Sequence, residues 1–138
     1  IITEQGEFFA MSQYHALIID DQPSNIDVLA MLLEQEGISH TDVTSAQQVP
    51  GAIDKISQLD VVFLDLEMPN GDYYQLFKTL KADERLAGVP LIAYTVHTSE
   101  IDQARHVGFD GCLGKPLKTT EFPNQIRRIL NGESVWTY

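Results

Sequence analysis

Short apolar runs, each closed by a polar residue, punctuate this chain. The clearest is Val61-Val62-Phe63-Leu64-Asp65. Four apolar residues in a row are too few for a helix and read as a strand buried on both faces. Met68-Pro69 then keeps a helix from growing through the run. His15-Ala16-Leu17-Ile18-Ile19 is a second run, closed by Asp20-Asp21. Residues 89–95 make another, with Pro90 at its start, where a missing amide does least harm. Residues 38–44 mix Ser, His, Thr and Asp among apolar positions and are expected nearer a sheet edge. Residues 110–113 form the last expected strand.

Between these runs the apolar spacing changes to a helical one. Gln22-Pro23-Ser24-Asn25 turns the chain into a helix whose face is Ile26, Leu29, Ala30 and Leu33, with Gly37 as its stop. Pro50, Ala52, Ile53 and Ile56 suggest a short helix. Asn70-Gly71 reads as a turn and Asp72 as a cap for a helix burying Tyr73, Leu76, Phe77 and Leu80. A helix over about 99–107 ends at Gly108. Thr119 or Thr120 is expected to open a last helix, with Pro123 in its first turn and Phe122, Ile126, Ile129 and Leu130 facing inward. Gly132 ends it. Strands alternating with helices predict an α/β domain, a parallel sheet covered on both faces and joined by right-handed crossovers.

Length and charge narrow the function. The 138 residues suffice for one domain with a real core, expected over 14–132, flanked by an extension or linker over 1–13 and a tail over 133–138. The chain starts at Ile1, so residues 1–10 read as a linker, with Met11 a candidate start. Twenty acidic residues against nine basic ones give a net charge of −11. That potential repels nucleic acid and anionic membrane and attracts divalent cations and basic protein surfaces. Cys112 is the single cysteine, so an internal disulfide or thiolate cluster is ruled out. A reducing, cytoplasmic setting is the expectation. No apolar run approaches membrane-spanning length.

In an open parallel sheet, ligands bind outside the carboxyl ends of the strands. Those ends carry Asp20 and Asp21, Asp65 and Thr95, with Lys115 just beyond the last strand. A lone strand-end Asp is usually a turn former. Three converging carboxylates repel, however, and their pKa values rise unless a cation sits among them. Oxygen ligands of this kind suit magnesium. Lysine and threonine supply a point charge and a hydroxyl donor for a phosphoryl group. The set reads as a phosphoryl site with one carboxylate as nucleophile.

The motifs Leu17-Ile18-Ile19-Asp20-Asp21, Asp65-Leu66-Glu67-Met68-Pro69, Leu91-Ile92-Ala93-Tyr94-Thr95 and Lys115-Pro116, taken in this order, resemble the receiver domain of two-component response regulators. The resemblance implies a flavodoxin-like (βα)5 three-layer sandwich with strand order 2-1-3-4-5. It casts Asp65 as the acceptor of a phosphoryl group from a phosphohistidine. Mg2+ would be held by Asp21, Asp65 and the main-chain carbonyl of Glu67, with Asp20 assisting. Thr95 would bond the phosphoryl oxygen and Lys115 pair with it. A cis Lys115–Pro116 bond is implied too. The implied partners are a sensor histidine kinase or a histidine phosphotransfer protein and a downstream protein effector, reached through the surface around the fourth helix and fifth strand. A homodimer is a further option.

Three features depart from the family pattern. Cys112 stands where the family usually has a mobile Tyr or Phe. Tyr94 is a substitute candidate, though strand alternation points it to the opposite face. Tyr73 follows Asp72 where Gly is frequent. Glu67 and His97, two residues beyond Asp65 and Thr95, fall where receivers often tune dephosphorylation; both are expected to face solvent, and an ordinary surface role is the alternative. His15 and His40 read as structural, Arg127 and Arg128 as complements to a helix dipole. Trp136 and Tyr138 read as a disordered tail or a partner anchor. Two other functions compete. An aspartyl-phosphate, Mg2+-dependent phosphohydrolase would also use a strand-end Asp, but usually has a second Asp where Glu67 stands and needs a cap. A phosphorylation-independent interaction module would leave the acidic site idle.

Overall fold

The computed structural model describes residues 13–69 and 73–137. The expected Asn70-Gly71 turn and Asp72 cap lie outside the described residues. Five strands form one parallel sheet in the order β2-β1-β3-β4-β5. They are β1 (His15–Ile19), β2 (Ser39–Val43), β3 (Val61–Asp65), β4 (Leu91–Thr95) and β5 (Gly111–Gly114). The helices are α1 (Pro23–Gln35), α2 (Val49–Lys55), α3 (Tyr73–Ala82), α4 (Ile101–Val107) and α5 (Phe122–Leu130). This is the flavodoxin-like sandwich that the alternation and the resemblance predict. No helix among the described residues is long and apolar enough to cross a membrane.

Strand alternation sorts the core into two layers. Ala16, Ile18, Val61, Phe63, Ile92 and Tyr94 pack on one face with Ile26, Leu29 and Leu33 of α1 and Phe122, Ile126 and Ile129 of α5. Leu17, Ile19, Val62, Leu64, Ala93 and Cys112 pack on the other with α2, α3 and α4. Every residue of β3 and β4 is buried, which explains why those runs are continuous rather than alternating in sequence. Strand β2 lies at the edge, and its partly exposed Ser, His, Thr and Asp fit that place. On α3, Leu76, Phe77 and Leu80 are buried. Phe77 meets the Phe109 ring at 4.4 Å between centroids. Gly108, at φ 117°, closes α4 in the left-handed region, and a Cβ there would reach Phe77 at 3.5 Å.

Element boundaries differ from the sequence expectation where proline or backbone geometry decides. Strand β4 begins at Leu91 rather than 89, because Pro90 has no amide to donate; its carbonyl still accepts from Val62 N–H at 3.0 Å. Helix α4 begins at Ile101 after a single 3-10 turn over Thr98–Glu100. Helix α5 is capped at Glu121, not at Thr119 or Thr120. The Lys118 carbonyl accepts from the amides of Glu121 and Phe122, so backbone rather than hydroxyl satisfies the entry. Leu130 is only half-buried.

Residues 133–137, set apart as a tail in the sequence, lie along the outer edge of β5. Cys112 N–H donates to the Val135 carbonyl at 2.8 Å, and Thr137 N–H donates to the Cys112 carbonyl at 2.9 Å. Cys112 and Trp136 form a parallel bridge, and Val135 is buried. Gly111 permits the approach: a Cβ there would meet the Val135 carbonyl oxygen at 2.7 Å.

Candidate functional site

Parallel strands deliver their last residues to one rim, and here that rim is acidic. Asp20 follows β1, Asp65 ends β3, Thr95 ends β4, and Lys115 follows β5. Asp20, Asp65 and Thr95 are buried, with Asp21 half-exposed beside them. Carboxylate oxygens of Asp20, Asp21 and Asp65 lie within 4.8 Å of one another. Lys115 reaches into the cluster, its Nζ 3.0 Å from Asp65 Oδ1 and 3.4 Å from Asp20 Oδ2. The Lys115–Pro116 bond is cis.

The two carboxylates are held differently. Asp20 Oδ1 accepts from Gln22 N–H at 2.8 Å, and Oδ2 accepts from the Tyr94 hydroxyl at 2.5 Å. On Asp65, Oδ1 accepts from Glu67 N–H at 3.0 Å as well as from Lys115. Asp65 Oδ2 is buried, and no group among the described residues donates to it. Burial therefore dominates at Asp65: it pushes the carboxyl up to about 7, against the Glu67 amide and the Lys115 ammonium, with the Asp20 charge pushing the same way as burial. A buried carboxylate oxygen without a donor is costly and calls for a cation or a covalent partner.

The sequence points to the Glu67 carbonyl and to Tyr94 as a candidate ring, but not to the hydrogen bonds that their side chains make at this rim. Alternation does place Tyr94 on the α1/α5 face, as expected, yet its length carries the hydroxyl back to the rim. Its ring also lies under the Lys115 ammonium, 4.2 Å from the centroid. Burial and the Asp20 bond push the phenol well above its ordinary range, so it stays a donor. Glu67 corrects the expectation that it faces solvent. Its Oε1 accepts from Thr95 Oγ1 at 2.9 Å and Val96 N–H at 2.7 Å, and its Oε2 is buried without a partner. Two donors, the Thr95 hydroxyl and the Val96 amide, draw it inward; Thr95 Oγ1 also lies 3.0 Å from Glu100 Oε2 and accepts from His97 N–H. His97 itself is exposed. Cys112 is buried on the α3/α4 face, where burial pushes its thiol up to about 12, the behaviour of a small apolar residue.

The fold and rim together define a doubly covered parallel α/β domain with acids, a hydroxyl and a lysine at its carboxyl edge. Comparison with known proteins makes the assignment specific. The model of the response regulator receiver domain matches residues 16–127, and the chain belongs to that family of two-component signalling domains. It is 34% identical over 111 residues to stress response regulator protein 1 of Meyerozyma guilliermondii, covering 78% of this chain and 51% of that protein. It is 34% identical over 116 residues to the sensory transduction protein RegX3 of Mycobacterium tuberculosis, covering 83% and 49%. The chain thus spans about half the length of the curated relatives it matches. A two-component response regulator from Clostridium difficile superposes with a TM-score of 0.72 at 27% identity, covering 86% of this chain and 97% of that one. The chemotaxis response regulator CheY4 of Vibrio cholerae gives 0.74 at 20% identity, over 84% and 98%, a likeness of fold.

Proposed function

We propose that Asp65 accepts a phosphoryl group from a phosphohistidine. The observation that carries this reading is the buried Asp65 oxygen that no described residue satisfies, beside one held by Lys115. The free Oδ2 attacks phosphorus, the phosphorus–nitrogen bond breaks, and the departing imidazole nitrogen takes a proton. Water later cleaves the acyl phosphate, returning orthophosphate and the carboxylate. The residues present fit magnesium: Asp21 and Asp65, with the Glu67 carbonyl, would hold it, and Asp20 would assist. When bound it supplies charge neutralisation for the phosphoryl oxygens. Asp20 is kept in place by Tyr94 and the Gln22 amide. Lys115 supplies a fixed positive charge, and Thr95 a hydroxyl that must leave Glu67 or Glu100 to reach a phosphoryl oxygen. The donor is a sensor histidine kinase or histidine phosphotransfer protein, and the signal passes to a protein effector.

Incubation with acetyl phosphate and magnesium, followed by intact mass measurement, tests the reading. One added phosphoryl group that Asp65→Asn abolishes is the expected result. Repeated turnover of donor would point instead to a phosphohydrolase. No gain and no turnover would leave only an interaction module.

A further inference from the structure

We infer that residues 135–137, paired to β5 and resting on α4, are displaced when Asp65 is phosphorylated; this rests on the phosphoacceptor reading above. Two contact routes run from the acidic rim to this one segment. On the first, Lys115 holds Asp65 through Nζ and Thr95 through its backbone, its amide donating to the Thr95 carbonyl at 2.8 Å. The preceding residue, Gly114, donates its N–H to Thr137 Oγ1 at 2.9 Å. On the second, Thr95 Oγ1 lies 3.0 Å from Glu100, which leads directly into α4. Arg105 of α4 stacks its guanidinium on the Trp136 ring, 4.5 Å from the centroid. Lysine and threonine are the groups that a new phosphoryl oxygen pulls towards itself, so both routes shift together.

The packing allows the shift. A cavity of about 330 Å³ lies between the two routes, walled by Thr95, Ile101, Lys115, Gln125 and Thr137. The hold is local: four hydrogen bonds, one buried valine and the part-buried Trp136, which packs on the α3/α4 core layer and against Arg105, set against the entropy of ordering several residues. Segments balanced this closely are the ones that open locally.

Trp136 is the only tryptophan, so its fluorescence reports the segment alone. The whole chain is treated with acetyl phosphate and magnesium, and emission, acrylamide quenching and intact mass are read on the same sample. Phosphorylated protein is expected to show red-shifted emission and at least twofold stronger quenching, with no change in Asp65→Asn. Gly111→Ala, whose Cβ collides with the Val135 carbonyl, should give the exposed signal without a phosphodonor. Val135→Asp, which buries an unpaired charge, should do the same if the first variant does not fold. A sample that gains one phosphoryl group while Trp136 remains as quenched as before overturns the coupling and leaves the phosphoacceptor reading intact. Absence of any mass gain overturns both.

Discussion

Asp65→Asn should make the metal-free protein more stable above neutral pH and much less so in mild acid. The wild-type carboxyl is pushed from about 3.8 to about 7 by burial, a difference of roughly 4 kcal/mol between its two protonation states. A group whose folded value exceeds its unfolded one favours folding fully below about 3.8, and that contribution is lost as pH rises through 7. At pH 8 the folded chain therefore carries an ionised, half-satisfied carboxylate that the amide variant lacks. That difference is already net of the Lys115 attraction, so the gain at pH 8 should approach about 4 kcal/mol, or roughly 12–16 °C in melting temperature. At pH 5 the folded carboxyl is neutral but the unfolded one is already ionised, so roughly 1.6 kcal/mol of the contribution is lost and the gain should shrink to less than half. Thermal unfolding in EDTA at the two pH values measures this. Magnesium should stabilise the wild type at pH 8 and help the variant much less. A variant that melts at or below the wild type at pH 8 without metal, or that shows the same difference at pH 5, would refute the reasoning.

Three other outcomes follow from the same geometry. Glu67→Ala frees the Thr95 hydroxyl and the Val96 amide from the carboxylate that now occupies them; labelling by acetyl phosphate, followed by intact mass over time, should speed up severalfold. Tyr94→Phe keeps the ring under Lys115 but strips Asp20 of its buried donor, which should cost about 1–3 kcal/mol in urea unfolding. Gly108→Ala forces a Cβ into the left-handed region beside Phe77 and should lower stability by about 1–2 kcal/mol, with phosphorylation unchanged.

Much of this architecture was legible because the information was local. The unbroken apolar run before Asp65 declared a strand buried on both faces, and the acids closing two runs declared a functional rim. What escaped depended on distant partners. Glu67 turns inward because Thr95, 28 positions away, offers it a hydroxyl. Tyr94 reads as core by alternation, and its ring is; only the length of its side chain brings the hydroxyl to Asp20, 74 positions off. Residues 133–137 follow the helix stop at Gly132 and so read as a tail; Val135 and Trp136 are apolar, but nothing in their composition reveals that Gly111 has left a shelf for them. The α5 cap was misplaced because a threonine hydroxyl signals a cap, whereas the Lys118 carbonyl had already taken the free amides.

The two margins of the sheet are finished in unlike ways. On β2, His40 is pinned between Glu34 and Asp42, at 2.7 Å from each, amid serine and threonine. On β5, the chain folds back over its own border. Charged, paired side chains line the β2 edge and the returning chain covers β5, which makes the domain a poor seed for strand-by-strand accretion. Domains of this build can be strung along one polypeptide, or crowded around a shared signalling partner, without knitting together through their sheets.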